Sequence, residues 1–478
     1  MDFKNKKILV VGLGALGGGV ATVKWLVANG ATVTVTDLRT RAELRNSLHA
    51  LGKDAARIRF VLGAHKVEDF ISHDIVLVNP AVKIRDNNYL AAAKRNGIPI
   101  INDLVIFLDK VRNPVITITG TRGKTTTAHW IAHFLSRKYK GIKASGNSSD
   151  DALLKLLPRL EKNGRIPAVL ELSSFQLEIA NQAKHAPDIA VVTNLYRDHL
   201  NRHDSMKEYA RAKINIFKNQ TRKQKLILNK DNEWTDFFLR TNPKAEIYFF
   251  STEKNKIRNG LIAESNGIVF IKNGKRQQIL SREERQKVES LGKHNLYNFL
   301  SSALATHCAG ISWKDIRARA KKLPGVRYRE EIVLKRGNIT VINDTTATSP
   351  EGAIAAIERF GRMHTILIAG GTDKKLNYAL WAKHVKKYVS PENLFLLDGS
   401  ATKKMVHELR KIGYFKTSPS RVFNVLEKIL RTIRKTHGTS HAIPIVILFS
   451  PGAASFEKFK NEFDRGEKFD ILVKKIFR

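Results

Sequence analysis

The chain has 478 residues, which is too long for one compact core, so two or three domains are expected. The apolar fraction of 42% is ordinary for a globular protein. Cys308 is the only cysteine, which excludes an intrachain disulfide and a cysteine-rich zinc site and fits a reducing compartment. No apolar run approaches the ~20 residues that a membrane-spanning helix needs. We therefore expect no membrane partner and a cytoplasmic location.

The formal net charge of +39 is typical of nucleic-acid-binding proteins. However, the basic residues are scattered over the whole length, without a long basic tail or a recognisable nucleic-acid module. A preference for anionic substrates, or a basic bias shared by the proteins of the source organism, explains the charge equally well. We do not expect a specific nucleic-acid partner, although a basic binding protein without catalysis stays an alternative.

Strands alternate with helices along the chain, which is typical of α/β domains with parallel sheets. A helix is expected from about residue 16 to residue 29, and the Asn113-Pro114 dipeptide marks a linker that ends the first segment. Strands of this first segment are predicted at Lys7–Val11, Thr32–Thr36, Arg59–Leu62 and Ile75–Asn79.

A glycine-rich turn, Gly12-Leu13-Gly14-Ala15-Leu16-Gly17, follows the first predicted strand and opens the helix. Asp37 lies at the end of the second strand, so the segment satisfies the fingerprint of a dinucleotide-binding loop. The same geometry serves any pyrophosphate. Because a second phosphate loop lies further along the chain, we favour another nucleotide diphosphate over NAD.

That second loop lies in the stretch ITITGTRGKTTTAHWIAHFL, residues 116–135. A β-branched run, Val115–Thr119, leads into the loop, and an amphipathic helix follows it. Glycines let the backbone wrap an anion, and the amides at the helix start point toward it. Lys124 can reach the terminal phosphates and Thr125 can offer its hydroxyl to Mg²⁺. The spacing is shorter than the full P-loop pattern, but strand, loop and helix agree.

Two further segments place polar side chains at the same sheet edge. Glu171 ends the buried strand predicted at Ala168–Leu172, and the strand Ile189–Thr193 leads into Asp198 and His199. Ligands of doubly wound sheets bind at the carboxyl ends of strands. Thr125, Glu171 and His199 could therefore hold Mg²⁺ together with waters. Lys213, taken alone, has the sequence context of a solvated surface lysine.

The remaining chain continues the α/β pattern. A strand is predicted at Leu226–Leu228, and the polar stretch Thr252–Gln286 is interpreted as a hairpin excursion rather than a domain. The last segment has strands predicted at Ile339–Ile342, Thr365–Ala369, Leu394–Leu397 and Val446–Phe449.

These motifs together resemble the Mur ligase family, the ATP-dependent amino-acid ligases of peptidoglycan precursor synthesis. GTRGKTT (120–126) is similar to the family's GTNGKTT, and ELSSFQLE (171–178) resembles its D-glutamate-adding branch. TNLYRDHLNRH (193–203) and YARAKINIF (209–217) resemble the segment with a Mg²⁺-binding histidine and a carbamylated lysine. Similar segments are GKHNLYNFLSSALA (292–305), NDTTATSPEG (343–352), IAGGTDKKLNY (368–378) and SPGAASFEKFKNEFDRGEKF (450–469).

The resemblance implies an α/β fold in three domains. They are an N-terminal Rossmann-like UDP-binding domain (1–112), a central P-loop ATPase domain with a mostly parallel sheet (113–324), and a C-terminal Rossmann-like amino-acid-binding domain (325–478). The implied activity is ATP-dependent addition of D-glutamate to UDP-N-acetylmuramoyl-L-alanine through an acyl phosphate, carried out by a monomer.

The resemblance also implies roles for individual residues. Catalysis falls to Lys124, His199 and a carbamylated Lys213. ATP contacts fall to Gly120, Thr121, Arg122, Gly123, Lys124, Thr125, Thr126, Asn295, Arg329 and Asp344. Mg²⁺, in as many as two sites, is assigned to Thr125, Glu171, His199 and Lys213. The UDP substrate is assigned to Leu13, Gly14, Ala15, Leu16, Asp37, Asn147 and Ser173, and D-glutamate to Thr348, Lys374, Ser455 and Phe456.

Some positions depart from the family pattern. Arg122 replaces an asparagine in the phosphate loop, and Thr346 stands where the family usually has a lysine near the substrates. GNSSD (146–150) and NPAVK (79–83) replace glycine-containing turns on the substrate side. A ligase of the same family that uses another amino acid or acceptor therefore stays an alternative.

Overall fold

The structure is a computed structural model of the chain, and it describes residues 1–14, 17–146, 152–183, 185–200, 202–253, 256–415, 421–438 and 443–477. The chain divides into two compact units, Met1–Pro324 and Gly325–Arg478. The α/β class predicted from the sequence is confirmed, because each unit carries helices around mostly parallel sheets. The predicted boundaries of three domains stay a prediction. No described helix is long and apolar enough to cross a membrane.

The first sheet has five parallel strands in the order β3-β2-β1-β4-β5. The ends of β1 to β4 lie within one residue of their predicted positions, because β-branched runs flanked by turn residues mark these strands clearly. The strands are β1 (Lys7–Val11), β2 (Thr32–Asp37), β3 (Ile58–Leu62), β4 (Ile75–Val78) and β5 (Ile100–Ile101). Helices α1 (Gly18–Ala28), α2 (Arg45–Leu51), α3 (Val67–Ile71), α4 (Asn88–Arg95) and α5 (Asp103–Lys110) accompany them.

The second sheet of the same unit has nine strands in the order β14-β13-β12-β11-β10-β9-β6-β8-β7. Strand β6 lies between β8 and β9 and is parallel to both, so the carboxyl ends of the three strands meet at one edge. The strands are β6 (Val115–Thr119), β7 (Ala144–Ser145), β8 (Ala168–Glu171), β9 (Ile189–Val192), β10 (Lys225–Asn229), β11 (Glu246–Ser251), β12 (Gly260–Glu264), β13 (Gly267–Lys272) and β14 (Lys275–Ser281).

The helices of this part follow the phosphate loop and the later strands. They are α6 (Lys124–Leu135), α7 (Leu153–Glu161), α8 (Ser174–Leu177), α9 (Met206–Ile214), α10 (Thr235–Leu239), α11 (Arg282–Glu289), α12 (Lys293–Cys308) and α13 (Trp313–Ala320). Helix α7 packs against α1 and α5, and one buried apolar cluster includes Leu26, Phe107 and Leu157 from these three helices. The two sheets of this unit therefore share a continuous core.

The polar stretch predicted as a hairpin excursion forms β12, β13 and β14, which pair antiparallel with one another. The hairpin is not a domain of its own, because β12 also pairs parallel with β11 and so extends the main sheet. One edge of this sheet is β14, whose first four residues are exposed, and the other is the two-residue strand β7.

The second unit has six strands in the order β15-β16-β20-β17-β18-β19, with β15 antiparallel to β16 and the others parallel. The strands are β15 (Glu331–Arg336), β16 (Ile339–Asn343), β17 (His364–Gly370), β18 (Leu394–Leu397), β19 (Val422–Phe423) and β20 (Ile445–Phe449). The helices are α14 (Pro350–Phe360), α15 (Ala379–Tyr388), α16 (Ser400–Lys411), α17 (Leu426–His437) and α18 (Glu462–Phe477).

A buried arginine holds the loops of the second unit together. The guanidinium of Arg465, in α18, is fully buried and donates hydrogen bonds to the Oγ1 and carbonyl oxygens of Thr345 at 2.9 and 2.7 Å. It also donates to the carbonyl oxygens of Ala453 and Ala454, both at 3.1 Å. One side chain thus supplies hydrogen bonds to the segments that follow β16 and β20.

Replacing this guanidinium should destabilise the second unit. Arg465→Met keeps an unbranched apolar stem but leaves the buried carbonyl oxygens of Thr345 and Ala453 without this donor, whereas that of Ala454 still accepts from the amide of Thr372 at 2.9 Å. Each unsatisfied group costs about 1–3 kcal/mol. Urea unfolding followed by hydrogen exchange in segment 443–477 should show the loss, with the exposed Arg410→Met as the control. Equal unfolding midpoints for the two variants would contradict this account.

Candidate functional site

The loop between β6 and α6 has a backbone shape that requires its two glycines. Gly120 has φ +150°, and a Cβ atom there would overlap the hydroxyl oxygen of Thr193. Gly123 has φ +80°, and a Cβ atom there would overlap Oδ1 of Asn298. Both positions combine a left-handed backbone with a close neighbour, so a side chain at either one would distort the loop.

The end of the neighbouring strand β9 fixes this loop through hydrogen bonds. The amide of Thr121 donates to the carbonyl oxygen of Asn194 at 3.0 Å, and the amide of Arg122 donates to Asn194 Oδ1 at 2.9 Å. The Thr193 hydroxyl donates to the carbonyl oxygen of Arg122 at 2.7 Å. The loop is therefore held in shape by protein contacts.

Lys213 lies directly beneath this loop and is 1% exposed. Its Nζ donates hydrogen bonds to the carbonyl oxygen of Gly120 at 3.0 Å and to Thr119 Oγ1 at 3.3 Å, and it lies 4.6 Å from the ring centroid of Tyr209. Burial lowers the pKa of the Lys213 amine well below its ordinary value; the charge of Lys124 lowers it further, while Asp198 opposes the shift. The structure thus brings Lys124, Asp198 and Lys213 together and favours a neutral amine at Lys213.

The spacing of apolar residues in α9 is the sequence signal that could have predicted the burial of Lys213. Tyr209, Ala210, Ala212 and Ile214 of α9 are buried, and Lys213 lies one helical turn after Tyr209. Residues four apart share one face of a helix, so Lys213 belongs to the apolar face. A lysine at such a position is rarely a solvated side chain.

His199 occupies a strained position in the loop that follows β9. Its φ is +54°, and its ring lies edge-on to Phe175 with centroids 5.0 Å apart and 5.8 Å from the ring of Tyr209. Its Nε2 lies 3.9 Å from Oδ2 of Asp198. Non-glycine residues with positive φ cluster at functional sites.

Sequence reasoning did not identify two polar residues next to His199. The Nε2 of His203 is 3.1 Å from the hydroxyl oxygen of Ser174, and the hydroxyl of Tyr209 is 3.2 Å from Thr121 Oγ1. Burial, together with the charge of Arg202, lowers the pKa of His203 to about 4. These contacts join α8 and α9 to the phosphate loop.

Oxygen donors suited to Mg²⁺ lie at the same sheet edge. Glu171 is the last residue of β8 and lies opposite Ile118 of the neighbouring strand β6. Thr125 lies in the first turn of α6. No three His, Cys, Asp or Glu side chains of the described ranges cluster in a way that could hold a metal ion. A hydroxyl and a carboxylate still fit Mg²⁺, because this ion keeps several waters and binds substrate phosphates.

A cleft of about 640 Å³ lies at the carboxyl end of the first sheet and is lined by Gly12, Gly14, Asp37, His65 and Val82 among others. Within it, Oδ2 of the buried Asp37 accepts hydrogen bonds from the amides of Leu13 at 3.0 Å and Gly14 at 3.4 Å. The predicted residues Leu13, Gly14 and Asp37 are therefore together, with Asp37 bound to the loop itself. Ala15, Leu16 and Asn147 lie outside the described residues.

Two other predicted residues have structural contacts. Ser173 caps α8, because its hydroxyl accepts from the amide of Gln176 at 3.3 Å and donates to Gln176 Oε1 at 3.0 Å. The Oδ1 of Asn295 accepts from Asn298 Nδ2 at 3.0 Å. Asn298, which sequence reasoning did not select, is thus the residue of α12 that approaches Gly123.

In the second unit, the predicted amino-acid residues lie in the loops after β16, β17 and β20. Nζ of Lys374 donates to the hydroxyl of Thr348 at 3.3 Å. The hydroxyl of Ser455 is buried, and no hydrogen-bond partner for it lies among the described residues. Phe456 is largely exposed.

The predicted ATP residues of the second unit are also in defined positions. Asp344 is buried and accepts from the hydroxyl of Ser450 at 2.7 Å and from the amide of Glu330 at 3.2 Å. Burial and the nearby carboxylate of Glu330 raise its pKa, although hydrogen bonds and Arg329 oppose the shift. Arg329 thus lies close enough to Asp344 to influence its charge.

Comparison with known proteins identifies the family. A model described as Mur ligase middle domain matches residues 118–306, and one described as Mur ligase MurD-like, N-terminal domain, matches residues 6–102. A protein of Roseiflexus sp. (strain RS-1) named UDP-N-acetylmuramoylalanine--D-glutamate ligase is 35% identical, with 99% of each chain covered. The chain belongs to the Mur ligase family. Proteins with the same name from Borreliella afzelii and Clostridioides difficile are 33% and 32% identical, with at least 98% of each chain covered.

Solved structures of Mur ligases share the fold. UDP-N-acetylmuramate-alanine ligase from Thermotoga maritima aligns with a TM-score of 0.58 at 20% identity, covering 98% of this chain and 100% of that one. A MurF structure from Acinetobacter baumannii gives a TM-score of 0.56 at 15% identity, covering 94% of this chain and 86% of that one.

One departure from the Mur ligase pattern has a clear structural setting. The hydroxyl of Thr346 donates to the carbonyl oxygen of Tyr328 at 2.7 Å, and its amide donates to the same oxygen at 3.3 Å. Tyr328 itself has φ +64°. Thr346 therefore stabilises a strained turn and supplies no cation where the family usually has a lysine.

The neutral His203 should make stability depend on pH. Its pKa in the folded protein is about 4, against an ordinary value of 6.5, so between these values the unfolded chain binds a proton that the folded chain does not. Stability from this residue is therefore lost as the pH falls from 6.5 toward 4. The melting temperature of the wild type should fall more between pH 7 and 5 than that of His203→Gln, while the exposed His49→Gln behaves like the wild type. Parallel pH profiles for all three proteins would rule this out.

Proposed function

We propose that this chain is an ATP-dependent ligase that joins D-glutamate to UDP-N-acetylmuramoyl-L-alanine. The observation that carries the proposal is the buried amine of Lys213 under a rigid phosphate loop, next to Lys124 and Asp198. Support comes from relatives that bear the name of this activity at 29–35% identity along the whole chain.

The proposed reaction has two chemical steps. A carboxylate oxygen of the nucleotide sugar attacks the γ-phosphorus of ATP, which forms an acyl phosphate and releases ADP. The amine of D-glutamate then attacks the acyl carbon and loses a proton, and the tetrahedral intermediate expels inorganic phosphate to leave an amide. The protein contributes mainly positioning and charge stabilisation, because no covalent enzyme intermediate is needed.

The phosphate loop supplies the charge stabilisation for the first step. Lys124 opens α6, and its Nζ is held 3.2 Å from the carbonyl oxygen of Thr121. A cation at this position counteracts the negative charge that builds up on the transferred phosphoryl group. Because Asn194 fixes the loop backbone, little reorganisation is needed when ATP binds.

Mg²⁺, when bound, would neutralise charge on the phosphates, with Thr125 and Glu171 as its protein ligands. His199 and a carbamylated Lys213 would hold or orient a second ion. The neutral amine of Lys213 has a free electron pair that can form an N–C bond with CO₂, after which the nitrogen releases a proton. The product is an anion, so carbamylation turns the buried neutral amine into a carboxylate-like ligand.

The substrates are assigned to separate parts of the chain. The cleft with Gly14 and Asp37 would hold the UDP group of the nucleotide sugar, and Thr348, Lys374 and Ser455 would orient D-glutamate. Ser455 has a buried hydroxyl that a carboxylate of the amino acid could engage. Because ATP is the phosphoryl donor, we place the reaction in the cytoplasm. We also expect the protein to be a monomer.

The second candidate is a ligase of this family with a different amino acid or acceptor. Thr346 favours it, because its hydroxyl is engaged by Tyr328 and leaves the usual cation missing. A panel of D- and L-amino acids, assayed with the same nucleotide sugar, separates the two candidates.

Phosphate release should require Mg²⁺, ATP, UDP-N-acetylmuramoyl-L-alanine and D-glutamate together. Lys124→Ala should lower kcat by about 100-fold or more, because a preorganised cation at the transferred group is worth at least that much. The exposed Lys162→Ala serves as the control. Release that needs the nucleotide sugar but ignores D-glutamate would favour the second candidate, and no release together with salt-sensitive nucleic-acid binding would refute both.

The role of a carbamate at Lys213 can be tested by chemical rescue. Lys213→Ala removes the buried amine and should lose most activity, and added acetate should restore part of it by supplying a carboxylate in the space left. Arg211→Ala, an exposed neighbour on α9, should neither lose activity nor respond to acetate. Activity of Lys213→Ala that stays low at every acetate concentration, with its melting temperature unchanged, would argue against the carbamate.

A further inference from the structure

Arg202 joins two segments that lie 120 residues apart in the sequence. Its side chain is 9% exposed, in the loop between β9 and α9. Its Nη1 donates to the carbonyl oxygen of Ala81 at 3.1 Å, and its Nη2 donates to that of Val82 at 2.7 Å. These carbonyl groups belong to the turn after β4, which lines the cleft of the first sheet.

The same guanidinium is fixed on its other side by a carboxylate. Nε and Nη2 of Arg202 each donate to one oxygen of Glu178, both at 2.8 Å, in a bidentate ion pair. The guanidinium also lies 4.8 Å from the ring centroid of Phe175. A planar fork with several donors can serve a carboxylate and two carbonyl groups at once, which a lysine cannot do.

The contacts of Arg202 extend to the loop that carries His199. The amide of Arg202 donates to the carbonyl oxygen of His199 at 3.0 Å, and Phe175 packs against the His199 ring. Glu178 follows α8, which Asn215 holds through hydrogen bonds to the carbonyl oxygens of Leu177 and Glu178. One buried side chain therefore fixes both the wall of the cleft and the surroundings of His199.

The turn after β4 has its own reason to need this support. It follows Asn79, whose Oδ1 accepts from the amide of Ala81 at 3.0 Å and whose carbonyl oxygen accepts from the amide of Val82 at 2.9 Å. The side chain of Val82 also closes the space next to Gly12. A shift of this turn would change the glycine-rich side of the cleft.

We propose that Arg202 is a positioning residue for the ligation, which locks the cleft-lining turn Asn79–Val82 to the His199 loop. This inference rests on the proposed function, in which the cleft holds the nucleotide sugar and the phosphate loop holds ATP. Arg202 then sets the distance between the two substrates of the first step. A misplacement of about 1 Å in such a system can lower the rate about 100-fold.

The test compares Arg202→Lys, which keeps the charge but loses the fork, with Arg211→Lys, an exposed control on α9. Arg202→Lys should lower kcat by about 10- to 100-fold and leave the KM for ATP within about twofold, because the phosphate loop is untouched. Hydrogen exchange should become faster in segments 79–83 and 202–205 together. A residue that only supports folding would lower the melting temperature without this division between kcat and KM.

Two results would overturn the inference. One is unchanged exchange in segment 79–83 of Arg202→Lys, because the turn would then not depend on Arg202. The other is faster exchange in both segments with an unchanged kcat in an active enzyme, because the link would then have no role in positioning. If the wild type shows no turnover, the proposed function fails, and hydrogen exchange still decides whether Arg202 joins the two segments.

Discussion

The buried amine of Lys213 is the constraint around which the centre of the first unit is organised. A charged ammonium in this position would lose its hydration and face the charge of Lys124, so the environment favours the neutral form. Its hydrogen-bond partners belong to β6 and the phosphate loop, and Tyr209 on its own helix covers it. The loop, the strand and α9 therefore have to keep one arrangement, which also places His199 at the same edge.

Most of the fold could be predicted from the sequence, and the errors have physical reasons. The ends of β1, β6 and β18 agree with prediction, because β-branched and leucine-rich runs end there at turn residues. The two-residue strands β5, β7 and β19 were not predicted, since such short strands depend on pairing with a neighbour. Strand β15 is partly exposed and mixes charged with apolar residues, so its alternation gives no clear signal.

The candidate site could be predicted where a local motif carries it. Gly120, Gly123 and Lys124 form a pattern whose backbone requirements are visible in the sequence. Arg202 could not be predicted, because its partners Ala81 and Glu178 lie in other parts of the chain and use mainly backbone and charge. Its burial depends on the packing of the two sheets in the first unit, which no local pattern contains.

The two edges of the nine-stranded sheet bear on how the protein behaves at high concentration. An edge strand with unpaired backbone groups is a template for pairing with another copy, which leads to aggregation. Strand β7 offers only two residues, and β14 exposes Lys275, Arg276, Gln277 and Gln278. Charged side chains on an edge strand oppose such pairing, and β14 carries Lys275 and Arg276, of which Arg276 forms an ion pair with Glu264 of β12. Part of the large positive charge of this chain thus protects its widest sheet from self-association.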